Sequence, residues 1–278
     1  MAADQDPLVR GSLPRQSPEI HTPSTRLTII LPAFNEERRI GAALDELFGY
    51  LADQKPHASL PHDCEVLVVD DGSADGTAAL VEARPETRDG AVPRLRLLCE
   101  PHRGKGSAVR AGILAAQTEL IIFTDADLAT PPDQLPLLVE ALTTHDIALG
   151  SRVQPDGSDR RSSQPLYRRS LGRLFHAFAA AWVTGPVPDT QCGFKGFRRA
   201  AAHDLFGRQR IESIVFDAEI IHLARRRGYS MAIVPVNWSD KRGSRMRLRP
   251  GMALRVVFDL LRIPFIHRRV RRARLEAV

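Results

Sequence analysis

Two carboxylates one residue apart, Asp125 and Asp127, follow the apolar run Leu120-Ile121-Ile122-Phe123. The run reads as a buried strand, so the pair sits where a strand gives way to a loop. Parallel sheets put their ligand sites at that edge. Two hard oxygen donors suit Mg²⁺ or Mn²⁺, and such ions usually bridge to substrate phosphates. Three more polar groups follow short apolar runs in the same way: Pro32-Ala33-Phe34-Asn35-Glu36, Asp70-Asp71-Gly72-Ser73 and Arg103-Gly104-Lys105-Gly106. Each alone reads equally well as a turn whose Asp or Ser caps the next helix. Four at one edge point to a shared ligand site. Arg103–Gly106 lacks the full Gly-x-x-x-x-Gly-Lys-Ser/Thr pattern, which excludes an NTPase phosphate loop.

The elements that must hold these groups alternate. Strands are expected at 27–31, 65–69, 95–99, 120–123 and 147–150, and helices at 36–51, 75–83, 105–117 and 132–143. This order predicts an α/β fold, a parallel sheet covered by helices. The strands are continuous apolar runs, as expected when both faces are buried. Beyond Ser151 the pattern loosens into a helix at 166–183, a strand at 193–198, a helix at 216–226, a strand at 231–236 and a helical tail from 252 to Pro264. Residues 1–25 are rich in Pro and Ser and poor in large apolar groups, so a disordered leader is expected there.

The looser half carries its own signals. Asp189-Thr190-Gln191-Cys192-Gly193-Phe194-Lys195 is long and idiosyncratic. Gly150-Ser151-Arg152 ends the fifth strand at the ligand edge, where a guanidinium can grip phosphate with two bonds. Arg168 and Arg169 open the long helix and are weaker candidates for that task. Asp217 and Glu219 open another helix, where acidic residues also favour the helix dipole. Lys241-Arg242-Gly243-Ser244-Arg245 reads as a basic loop after the last strand.

Together these motifs resemble those of family 2 glycosyltransferases with the GT-A fold, and among them the dolichyl-phosphate glucose and mannose synthases. The resemblance runs from about Leu27 into the basic tail. It implies a fold divided at about residue 150 into a nucleotide-sugar half, 26–150, and an acceptor half, 151–250, with a basic amphipathic tail at 251–278. It implies that Pro32, Phe34 and Glu36 line base and ribose, that Asp71 contacts the base, and that Asp125 and Asp127 hold a divalent metal, Mg²⁺ or Mn²⁺, on the diphosphate. Lys105 either reaches the nucleotide or is a solvated first-turn residue. Asp189 is expected near acceptor and sugar, as an orienting group or a base. Arg152, Arg169, Gln191 and Lys195 are acceptor-side candidates, and Asp217 and Glu219 a second tier by the sugar. The reaction implied is inverting transfer of a hexose to a polyprenyl phosphate. UDP-glucose is the first choice of donor, because Ala129 stands where many mannose synthases carry Gln. GDP-mannose, or a soluble acceptor, is the alternative.

Net charge is +6, unevenly spread. From Asp240 onward 12 Lys and Arg face 3 Asp and Glu, a net of +9, which leaves −3 for residues 1–239. Such a tail seeks an anionic partner. In the tail Arg255, Asp259 and Arg262 form a narrow polar stripe on an otherwise apolar helix, followed by five arginines between 268 and 274. This suggests an interfacial helix on an anionic membrane, with basic residues contributing about 1 kcal/mol each. Packing on the body is the alternative. Only Phe258 and Phe265 are aromatic in the tail, which argues against nucleic acid. Three scattered cysteines indicate a reducing compartment. No apolar run has transmembrane length and no secretory signal is evident. A cytoplasmic protein, peripheral on the membrane, is expected; a membrane partner subunit or a homo-oligomer is left open.

Overall fold

The computed structural model describes residues 26–53, 60–61, 63–154, 156, 178–239 and 250–272. The expected leader, Arg168, Arg169, most of the helix read at 166–183 and the basic loop at 241–245 lie outside the described residues.

Among the described residues seven strands form one sheet: β1 Leu27–Ala33, β2 Cys64–Asp70, β3 Arg94–Cys99, β4 Leu120–Thr124, β5 Ile147–Ser151, β6 Phe194–Arg198 and β7 Met231–Pro235. Their order is β3-β2-β1-β4-β6-β5-β7. All neighbours run parallel except β6, which is antiparallel to both β4 and β5. The apolar strand pattern signals burial but not direction, so this reversal is invisible in the sequence. It has a consequence for the site. Phe194, the first residue of β6, pairs with Thr124, the last of β4. The segment that leads into β6 therefore arrives at the edge from which the Asp125–Asp127 loop departs.

Helices cover both faces. α1 (Ile40–Ala52), α2 (Thr77–Glu82) and α4 (Leu135–Thr144) bury Leu44, Leu47, Val81, Leu138 and Leu142 against Ile29, Val66, Val68 and Ile122. α3 (Lys105–Ala115), α5 (Arg199–Arg208) and α6 (Phe216–Arg227) bury Val109, Ile113, Leu205, Phe206 and Ile220 against Ile30, Leu67, Val69, Phe123 and Phe197 on the other face. The sequence reading has no element corresponding to α5. α6 carries Asp217 and Glu219 in its first turn and Arg225–Arg227 in its last, both favourable to the helix dipole. It ends at Gly228, whose φ of 85° admits the left-handed cap.

The last helix, α7 (Pro250–Ile266), passes through Pro264 instead of stopping there. Pro264 lies one turn from the end, so its missing N–H removes a single helical bond. Packing holds the turn: Leu260 and Ile263 join Ala179, Val183, Ile211, Val215 and Ala218 in a third apolar cluster. One face of the tail is thus part of the body. Among the described residues no helix is long and apolar enough to cross a membrane.

α3 approaches the sheet closely at Gly112, where a β-carbon would come within 2.8 Å of both Ile30 and Val69 side chains. Gly112→Val should overpack this seam and lower the unfolding free energy by about 1–3 kcal/mol. Urea denaturation followed by circular dichroism checks this; an unchanged midpoint would contradict it.

Candidate active site

The loops after β1, β2 and β3 are knitted together by side chains. Asp70 accepts from Ser73 N and Oγ, and Ser73 Oγ in turn accepts from Asn35 N at 2.8 Å. Asn35 Oδ1 receives Ala74 N at 2.9 Å, with Asn35 itself at φ 55°. Asp71 is buried and gathers three donors: Arg103 N and Gly104 N at 3.0 Å and His102 Nδ1 at 2.8 Å. The Asp71 carboxylate therefore shapes the Arg103–Gly106 loop.

Phe34 is not a core residue. It is 40% exposed and stacks on His102 at 3.9 Å with the rings 13° apart. The flat pair stands beside Asp71 at the sheet edge. Glu36 takes two bonds from Arg39, both 2.6 Å, and Arg39 Nη1 lies 3.8 Å from Asp127, with no hydrogen bond of its own among the described residues. The Glu36 hydrogen bond raises the Arg39 pKa against burial. Arg39 and His102 are absent from the sequence reading. The i, i+3 spacing of Glu36 and Arg39 was the available sign of the first; for His102 the sequence offered only its place beside the glycine-rich loop.

Asp125 meets Lys105, whose Nζ lies 2.5 Å from Oδ1. Burial works against the Lys105 charge, but the carboxylates of Asp125 and Asp217 outweigh it and raise the ammonium pKa. Asp127 accepts from Ala129 N at 3.1 Å. Its pKa is raised, first by burial and then by the like charge of Asp125. A divalent cation would offset both causes, and hard carboxylate oxygens are the donors Mg²⁺ and Mn²⁺ take. Among the described residues no group of three or more His, Cys, Asp or Glu forms a closed metal cage. Two carboxylates fit an ion whose remaining ligands come from substrate phosphate and water.

The Asp189–Lys195 segment packs onto this loop from the other side. Gly193 O accepts from Asp125 N at 3.1 Å, and a β-carbon at Gly193 would collide with the Asp125 carboxylate. Asp189, only 3% exposed, takes Arg152 Nε at 2.7 Å, Nη2 at 2.8 Å and backbone N at 3.0 Å. The guanidinium also lies over Trp238, 5.6 Å from the ring centre. Burial opposes the Arg152 charge, and the Asp189 bonds reverse that and raise its pKa. Arg152 is thus a fixed, permanent cation.

Lys195 is placed differently from the sequence reading, which makes it a phosphate or sugar contact. It is 1% exposed, and Nζ donates to Thr190 O, Cys192 O and Asp217 Oδ1 at 3.1, 2.6 and 2.7 Å. An ammonium has three protons, and these three acceptors engage them all. Lys195 therefore braces the segment from within. Burial raises the pKa of its partner Asp217 even though Lys195 and Lys105 oppose that shift. Gln191 Nε2 is buried and has no hydrogen-bond partner among the described residues. Pro32 is the one half-buried residue of β1, next to its last residue, Ala33. Glu219 lies elsewhere: it receives Arg210 N and Ile211 N, each at 2.8 Å, and His267 Nε2 at 2.6 Å, under the tail. Asp259, in the narrow polar stripe of the tail, likewise turns inward and accepts Ser213 Oγ at 2.7 Å, which is the packing alternative for that part of the helix. These bonds fix the 210–213 segment, and Glu212 O in turn accepts Gly106 N at 2.9 Å, at the start of the helix that carries Lys105.

Residues 28–206 match the model of glycosyl transferase family 2. The chain is 37% identical over 259 residues to a dolichyl-phosphate beta-glucosyltransferase of Trichomonas vaginalis, covering 90% of this chain and 74% of the relative. It is 35% identical to the Drosophila melanogaster protein of that name, covering 81% and 70%. Among solved structures, glucosyl-3-phosphoglycerate synthase from Mycobacterium tuberculosis, in complex with Mn²⁺, UDP-glucose and phosphoglyceric acid, superposes with a TM-score of 0.59. It is 19% identical, and the match covers 86% of this chain and 79% of that one. That likeness establishes the shared GT-A fold.

Lys195→Met would leave Asp217 buried without its hydrogen-bonded cation, and should cost about 3–5 kcal/mol of stability at neutral pH. The folded-state pKa of Asp217 is raised, so the folded state holds that proton more tightly than the unfolded one. The variant should therefore regain stability as pH falls through the raised pKa toward the ordinary carboxylate range. Urea titrations at neutral and mildly acidic pH check this; an equal deficit at both would contradict the pairing.

Proposed function

This chain belongs to glycosyl transferase family 2, and on that premise we propose that it moves glucose from UDP-glucose to the phosphate of a dolichyl or related polyprenyl phosphate, with inversion. One observation carries the reading: the Asp189–Lys195 segment is seated against the Asp125-Ala126-Asp127 loop. Donor diphosphate and acceptor phosphate would then meet across one seam. The names of the relatives support glucose and dolichyl phosphate as the substrate class.

Asp125 and Asp127 would hold a divalent ion, Mg²⁺ or Mn²⁺, which when bound offsets the charge that develops on the leaving diphosphate. The rest is work for the chain. The exposed Phe34–His102 stack offers a flat surface to the base, with His102 held by Asp71, and Pro32 would complete the base side of the site. Lys105, on Asp125, is a second cation at the diphosphate side. The acceptor phosphate, with a second pKa near 6, is largely a dianion at neutral pH and needs no strong base. Asp189 is committed to the Arg152 fork. Its role is to aim that cation at the acceptor phosphate rather than to take a proton. Gln191, whose amide nitrogen has no partner among the described residues, is a further donor for sugar or phosphate. Catalysis then rests on positioning and charge. A lipid-borne acceptor and a soluble donor would meet at a membrane surface, and the cytoplasmic face is the side proposed.

Radiolabelled donors with a short polyprenyl phosphate test this. Label should pass from UDP-glucose, not from GDP-mannose, and only with Mg²⁺ or Mn²⁺. Asp127→Ala should lower kcat by about 10²–10³ while leaving the fold intact by circular dichroism. Near-normal transfer by that variant in chelator would contradict the reading. Arg152→Lys keeps the charge on Asp189 but loses the fork. It should cost about 1.5–3 kcal/mol of acceptor binding, seen as a raised acceptor KM with UDP affinity unchanged. An unaltered acceptor KM would remove Arg152 from the acceptor site.

A further inference from the structure

The tail helix has two apolar faces, and the body covers only one. Leu260 and Ile263 are fully buried, and His267 and Asp259 are pinned by Glu219 and Ser213. The opposite face carries Leu254, Val257, Phe258, Leu261 and Phe265, at spacings of 3, 1, 3 and 4, which is one helical stripe. All five are exposed, Leu254 by 75%, Phe258 by 61% and Phe265 by 60%. The stripe continues onto the preceding segment: Trp182, 44% exposed, donates Nε1–H to Leu261 O at 3.2 Å, and its ring lies 6.3 Å from that of Phe265. A contiguous apolar patch rimmed by charge marks an interaction surface.

The charge at its rim has one sign. Arg255 flanks the stripe, and Arg262 lies over the Phe258 ring at 5.4 Å. Arg268, Arg269, Arg271 and Arg272 follow, all exposed. The one acidic residue of this stretch, Asp259, is buried and bonded to Ser213 and Arg262. Arg226 and Arg227 fix the arginine-rich end by donating to the carbonyls of Arg268, Val270 and Arg271. An apolar stripe with a tryptophan beside it and arginines at one end matches an interface between hydrocarbon and anionic headgroups.

We propose that the Leu254–Phe265 stripe, with Trp182 and the arginines of 268–272, docks the folded chain flat on an anionic lipid bilayer. The inner face keeps the helix on the body while the outer face meets lipid, so docking requires no unfolding of the tail. This deepens the reading above where that reading needs a bilayer, and the two can fail separately.

The test is flotation of the full chain with phosphatidylcholine vesicles, with and without phosphatidylserine. The chain should float with the anionic vesicles, less so at high salt. Phe258→Ser combined with Phe265→Ser should lower partitioning roughly tenfold or more. Arg268→Gln combined with Arg269→Gln should lower it roughly fivefold per charge. Both variants should keep the UDP-glucose affinity and the unfolding midpoint of the parent. Failure of the full chain to float, or flotation of the phenylalanine variant at parental level, would overturn the proposal. So would a dimer in sedimentation that this variant abolishes, since a second copy would then be the occupant. Nucleic-acid binding lost only with the arginines would overturn it too. A chain that transfers glucose to a soluble polyprenyl phosphate but ignores vesicles defeats this inference alone. One that floats but transfers nothing defeats the functional reading alone.

Discussion

The close approach of Gly193 to Asp125 is the constraint on which the site depends. With no β-carbon at 193, the Asp125 carboxylate lies against the backbone of a segment from the other half of the chain. The Asp125 N to Gly193 O bond holds the two together. The topology makes this meeting possible: β6 runs antiparallel to β4, so its entry faces the exit of β4. A parallel strand in that position would deliver the Asp189–Gly193 segment to the opposite edge of the sheet. The side chains expected to bind donor and acceptor would then lie on different edges.

Around this seam the charges alternate in fixed pairs. Arg39 bonds Glu36 and faces Asp127, Lys105 bonds Asp125, Lys195 bonds Asp217, and Arg152 bonds Asp189. Pairs of this kind contribute little net stability, because desolvation of the buried ones and solvent screening of the open ones offset most of the attraction. Their effect is geometric. Each cation is held at a set position before any anionic substrate arrives, which is the condition for electrostatic preorganisation. The pairs differ in exposure, and that sorts their tasks. Lys195 and Asp217 are sealed and serve as a brace, whereas Lys105 and Asp125 are partly open to solvent and can exchange partners.

Much of this was legible in the sequence. Continuous apolar runs ending in polar turns gave the sheet, its helices and the edge that carries Asp71, Lys105, Asp125, Asp127 and Arg152. Orientation was not legible, since an apolar run reads the same in either direction, and β6 therefore carried no sign of its reversal. Partnerships across the chain were hidden as well. Lys195 looks like a phosphate ligand until its three acceptors are seen, and the stripe of Arg255, Asp259 and Arg262 does not show which way it faces until Ser213 is found beside Asp259. The tail illustrates the same limit. Its sequence is apolar almost all round, which fits either packing or docking, and the fold assigns one face to the body and exposes the other.

The seam can be tested without relying on turnover. Gly193→Ala puts a methyl group where the Asp125 carboxylate sits, and the carboxylate is the part that can move. Calorimetric titration of UDP in the presence of Mn²⁺, set beside urea denaturation of the same variant, separates the site from the fold. A roughly 10–100-fold loss of Mn²⁺-dependent UDP affinity is expected, as for a displaced metal-site group, with an almost unchanged unfolding midpoint. Parental UDP affinity in a folded Gly193→Ala protein would contradict it.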